Sequence, residues 1–158
     1  MAAIYPIVLF LHGLNRWFVI LFALWLLFSA VSSTGRTSSA ETSPVRAPWR
    51  AYLGTLRLQL LLGALLLLIS PLAQAVWSDM GAAMKMRPLR FFAVEHTVMM
   101  FLAIGLAEAG AARARRAKDA ARAARATLIF GGLSLLLILA AIPWPFMREI
   151  ARPWLRSW

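Results

Sequence analysis

Two histidines, His12 and His96, are the only imidazoles in the chain, and both stand inside long apolar runs. His96 lies in Phe91-Phe92-Ala93-Val94-Glu95-His96-Thr97-Val98-Met99-Met100, and His12 in Leu9-Phe10-Leu11-His12-Gly13-Leu14. An imidazole in hydrocarbon is costly to solvate, so an ionisable residue in a spanning helix marks a site until a partner is named. The partnership expected is His12, His96 and one haem iron held between them. The chain has no cysteine, which removes disulfides, thiolate metal sites, iron–sulfur clusters and covalent C-x-x-C-H haem attachment. Met99 and Met100, a turn deeper than His96, read as packing.

The elements that position these residues are membrane helices. Of 158 residues, 61% are hydrophobic, and several runs approach the ~20 residues needed to cross a bilayer. The fold expected is an all-α, four-transmembrane-helix up-down-up-down bundle forming one domain over 1–158. Its helices are expected at about 5–32, 50–76, 88–111 and 126–146, followed by an interfacial tail over 147–158. Pro6 and Pro88 suit first helical turns, where a missing N–H does no harm. The first helix reads as retained, because nothing basic precedes it and its apolar run exceeds the ~7 to 15 residues of a signal peptide core. Ser33 to Pro48 reads as a loop. Ser70-Pro71 is expected to bend the second helix, and the Ala/Arg-rich stretch 112–125 to carry the last two helices past the membrane as a basic hairpin.

The net charge of +11 sits at the junctions between apolar runs, where it meets lipid headgroups; no nucleic-acid partner is expected. The loops after the first and third helices hold Arg36, Arg46, Arg50, Arg113, Arg115, Arg116, Lys118, Arg122 and Arg125, against Lys85, Arg87, Arg90, Arg148, Arg152 and Arg156 on the other side. That imbalance places both termini outside the cytoplasm. Helices one and three then run in the same direction. His12 is six residues past Pro6 and His96 eight past Pro88, so each lies roughly 9 to 12 Å into its helix. In such a bundle these helices are diagonal neighbours roughly 11 to 14 Å apart, about the space a doubly ligated haem needs.

Other polar residues fall around that level. Arg16, one turn from His12, shares its face; it neutralises a haem propionate or a quinol anion, with help from Arg87 or Arg90, or else pairs with Glu95 or snorkels. Gly13 lets a flat macrocycle approach the helix, although glycines also serve ordinary helix packing. Glu95 accepts a quinol proton or orients a histidine; the plainer reading is an ion pair with an arginine. Arg57 and Glu108 are expected to pair with each other. Each histidine, taken singly, reads first as hydrogen-bonded to a helix carbonyl or a neighbouring side chain; their shared depth and parallel direction bring the haem reading level with that.

Leu11-His12 with Arg16-Trp17, Gln59-Leu60-Leu61-Leu62-Gly63 with Ser70-Pro71, Arg90-Phe91-Phe92 with Glu95-His96 and Met99-Met100, and Ile142-Pro143-Trp144-Pro145-Phe146 together resemble a family of small bacterial four-helix membrane proteins labelled cytochrome b or cytochrome-b-like. The resemblance implies one haem b in the bacterial inner membrane, ligated by His12 and His96, and single-electron transfer with quinone as a candidate redox partner. The better-known membrane b-type cytochromes often carry four histidines for two haems; this chain supplies ligands for one. The rival reading is a haemless accessory or assembly subunit of a larger respiratory or photosynthetic complex. A homo-oligomer is a further partner to consider, and a metal-free quinone-binding protein a third reading.

Overall fold

The computed structural model describes residues 4–34 and 43–154. Helix α1 spans Ile4–Val31, α2 Arg46–Ile69, and three short helices follow: α3 (Pro71–Ser78), α4 (Met80–Lys85) and α5 (Arg87–Arg90). A π-helical turn, Phe91–Glu95, joins α5 to α6 (His96–Arg115); α7 (Ala120–Ala141) and a 3₁₀ turn, Arg148–Ile150, complete the described chain. Four stretches are long and apolar enough to cross a membrane: Ile4–Val31, Arg46–Ile69, the continuous Arg87–Arg115, and Ala120–Ala141. The protein is therefore an all-α membrane protein with four candidate spans. Phe28 and Leu68, each 73% exposed, show how such helices turn large apolar side chains outward, where lipid replaces water.

Two boundaries differ from expectation for one reason. The second helix, expected over 50–76, ends at Ile69, because Ser70 is extended (φ −76°, ψ 142°) and its Oγ accepts from the Ala73 N–H to cap α3. The fourth, expected over 126–146, runs from Ala120 to Ala141, and Ile142 is extended (φ −71°, ψ 127°). Both extended residues precede a proline, whose Cδ pushes its neighbour out of the helical region. At the other end of α7, Asp119 accepts from the Arg122 N–H at 2.8 Å and starts the helix early. The basic stretch accordingly continues α6 to Arg115 and begins α7 at Ala120, with a tight turn over 116–119 between them, the hairpin expected.

Helix α1 packs on α2 and α7, while α6 packs on α7 and more lightly on α2. Neighbours in this ring are antiparallel, so α1 and α6 are parallel and diagonal. The α6–α7 seam is built from small residues: Ala103, Ala107, Gly110 and Ala111 meet Ala123, Ala124, Gly131 and Ser134. With no hydrophobic force between helices in lipid, close backbone approach supplies the attraction. Gly110 is the extreme case, since a Cβ there would lie 2.5 Å from the Phe130 Cβ and 3.0 Å from Trp49.

Polar ties lock the half of the bundle where α2 and α7 begin. Trp49 Nε1 donates to Thr127 Oγ1 at 2.9 Å, the Tyr52 and Ser134 hydroxyls share a bond of 2.8 Å, and Ser134 Oγ donates to the Ala103 carbonyl at 2.8 Å. These bonds join α2, α7 and α6, and their groups are buried with their partners supplied.

Candidate functional site

The π turn sets where His96 points. One extra residue per turn changes the phase of the helix: the His96 N–H bonds back to the Phe91 carbonyl, and Thr97 Oγ1 reaches the Phe92 carbonyl at 3.2 Å. His96 then faces α7, where its Nδ1 lies 2.9 Å from the Ala141 carbonyl. A carbonyl only accepts, so Nδ1 carries the proton in that bond and Nε2 keeps its lone pair.

His12 is held through its own backbone. Asn15 Nδ2 donates to Gln59 Oε1 at 2.7 Å and to the Thr55 carbonyl at 3.0 Å, and Gln59 Nε2 donates to the His12 carbonyl at 3.0 Å. This amide clamp ties α1 to α2 at the level of the imidazole. Replacing Asn15 with leucine should lower bundle stability by about 1 kcal/mol, near the upper range for interhelical bonds in lipid, as read by denaturation in mixed micelles; an unchanged midpoint would remove the clamp from the account.

The His12 ring rests on α2 at Gly63, where an added Cβ would be 3.3 Å from His12 Cε1. Its Nδ1 is buried and has no hydrogen-bond partner among the described residues. The two imidazoles come level across the bundle diagonal, with ring centres 6.3 Å apart and planes inclined by 63°.

A cavity of about 240 Å³ surrounds the pair. Leu9, Leu56, Leu60, Phe92, Met100, Ile104 and Ile138 make its walls apolar, and Gly13 faces it. A Cβ at Gly13 would meet nothing within 4 Å, so packing does not demand a glycine there, as it does at Gly63. Ala64 and Phe101 line the cavity and are also exposed, so it reaches the lipid-facing surface between α2 and α6.

The chain beyond α7 closes the mouth. The Arg152 N–H returns to the Pro143 carbonyl at 3.0 Å, and Arg16 Nη2 and Trp17 Nε1 donate to the Trp154 carbonyl at 2.7 and 3.3 Å. Trp154 stacks on Trp17 and leans on Trp144. Arg16 lines the cavity rather than pairing with Glu95, and Arg152, stacked 4.6 Å over Phe92, lines it too. Two guanidinium groups thus stand where the apolar cavity meets the surface.

Glu95 lies outside the cavity lining and pairs with Arg90 at 2.8 Å; Arg57 pairs with Glu108 at 2.7 Å. Sequence reasoning brought His12, His96, Arg16 and Gly13 to one place. The helix carbonyl it allowed as a partner for each histidine is found for His96 at Ala141. It missed the Asn15–Gln59 clamp, Gly63 as the rest for His12, and Arg152; both amides stand inside spanning helices, where such residues face other helices, so the clamp was findable.

Whether a haem suits these residues is a question of reach. An imidazole nitrogen holds an ion such as zinc at about 2.0 Å, and the ring centre lies roughly 1 Å behind it, so two imidazoles flanking one ion sit about 6 Å apart. The observed 6.3 Å fits that spacing. The unpartnered His12 Nδ1 and the open space over Gly13 fit it as well. Among the described residues, no group of three or more His, Cys, Asp or Glu side chains gathers as for a bare ion.

Fold and site define a four-span helical membrane protein with a histidine pair inside an apolar cavity. Comparison with protein-family models, curated proteins and solved structures finds no match to the chain.

Proposed function

We propose that this protein binds one haem b through His12 and His96 and works in single-electron transfer, as a cytochrome-b-like membrane protein. The observation that carries the reading is the pair of imidazole centres 6.3 Å apart at one level of the bundle. A bound haem supplies a reversible one-electron iron couple. The chain's own residues do the rest. Ala141 orients His96 and fixes its tautomer, a hydrogen bond that also raises ligand basicity. The Asn15–Gln59 clamp and the Gly63 rest hold His12. Apolar walls exclude water, and Arg16 and Arg152 offer cations to carboxylates at the mouth. Held by both His12 and His96, the group would supply electron transfer rather than oxygen binding.

The cavity lies at the end of the bundle that the arginine and lysine count assigns to the outer face of a bacterial inner membrane. Its opening between α2 and α6 suits a quinol arriving through the lipid as electron donor. A haemless accessory subunit of a larger membrane complex is the second reading. It is favoured by the internal pairs that need no cofactor: His96 with Ala141, Arg90 with Glu95, and Arg57 with Glu108.

Absorption separates the two. Detergent-purified protein, made with ample haem supply, should give a reduced-minus-oxidised spectrum with sharp b-type bands and about one haem per chain by pyridine haemochrome. A colourless protein would make the accessory reading the leading one.

Gly63 offers a narrower check. Gly63→Val places a branched side chain against the His12 ring, and should cut haem content severalfold while the bundle stays folded. Retention of a full haem complement would show that His12 does not need its rest on α2.

A further inference from the structure

One face of the bundle differs chemically from the others. Away from α2 and α6, and apart from Arg122 and Arg125 in the first turns of α7, the exposed large side chains of the spans are apolar, as with Phe28 at 73% and Leu136 at 63%. On the α2–α6 face, the Arg57–Glu108 ion pair lies open, with side chains 62% and 39% exposed. Gly54 and Gly105 flank it on the same helices, exposed, and a Cβ at either would meet nothing within 4 Å.

The pair is well inside the span. Arg57 is seven residues past Arg50, roughly 10 Å along the helix. An arginine reaches back toward headgroups, but the short carboxylate of Glu108 does not. Charged residues in spanning helices almost always face protein or a water-filled cavity, and here half of each charge faces outward.

We propose that this face is where two copies of the chain pair in the membrane. Copies inserted with the same orientation can be related by a two-fold axis along the membrane normal, which keeps every residue at its depth. An isologous contact then sets the Arg57–Glu108 pair against its own image. Each arginine gains a second carboxylate and each carboxylate a second guanidinium, so the face is electrically complementary to itself without any other partner. The open space at Gly54 and Gly105 lets the helices approach closely. Ala64, at the cavity's opening, lies seven residues beyond Arg57 on α2, roughly 10 Å along the helix, so the pairing centres on the other half of this face from the opening.

The chain has no cysteine, so a single introduced thiol can join only two chains. In native membranes, Gly105→Cys should give a covalent dimer of the chain with a short bis-maleimide, and Phe28→Cys, on another face, should not. Adding Arg57→Leu and Glu108→Leu to Gly105→Cys removes both charges at once, a change the bundle tolerates, and should lower the dimer yield at least tenfold. A Gly105→Cys protein that stays monomeric, or that links to a different protein, overturns the proposal. So does equal cross-linking of Phe28→Cys, or a yield that survives loss of the pair.

Discussion

Alanine in place of His96 is expected to leave the protein folded in the membrane and without haem. His96 sits on α6 with its Nδ1 committed to Ala141, and neither methionine near it supplies a second ligand at the same depth. Removing the imidazole costs one hydrogen bond to the bundle, about 1 kcal/mol, but half of the ligand set. The same change at His12 should act alike, since its ring touches α2 only through a van der Waals contact at Gly63. Haem per chain should fall below about a tenth of wild type in both variants, while detergent extraction and helical content stay unchanged. A variant keeping a full haem complement and an unchanged spectrum would remove that histidine from the ligand set.

The second large effect concerns folding, at the opposite end of the bundle. Gly110→Leu should disrupt assembly, because the first added carbon already lies 2.5 Å from the Phe130 Cβ. That neighbour is fixed to its backbone and cannot rotate away. Overpacking by a methylene or two costs about 1 to 3 kcal/mol, and leucine adds more than that. The expected readout is a loss of at least ~3 kcal/mol in mixed-micelle denaturation, or failure to accumulate. Gly132→Leu, where an added Cβ would meet nothing within 4 Å, is the control and should behave as wild type. Equal tolerance at both positions would mean that the α6–α7 seam is not as close as described.

What the sequence made legible was depth and pairing along regular helices. Counting residues from Pro6 and Pro88 put His12 and His96 level, because rise per residue is constant in a helix. The same reasoning put Arg57 near Glu108. Departures from regularity were less legible. The π turn at Phe91–Glu95 leaves no composition signal, yet it decides that His96 meets Ala141. Ser70-Pro71 was read as a bend, but serine caps a new helix there and the break is complete. Gly13 drew attention by standing beside His12, whereas the glycine that contacts the imidazole is Gly63, on a different helix and invisible to sequence spacing. The fold-back of residues 143–154 depends on backbone carbonyls as acceptors, which every residue carries and no motif marks.

The proposed haem, held between His12 and His96, would carry one ferric iron per chain in the oxidised protein. The most direct test is the low-temperature electron paramagnetic resonance spectrum of the oxidised, purified protein. A haem held by both His12 and His96 would give a low-spin ferric signal at about one spin per chain. A high-spin ferric signal, or no haem signal from protein made with ample haem, would contradict it.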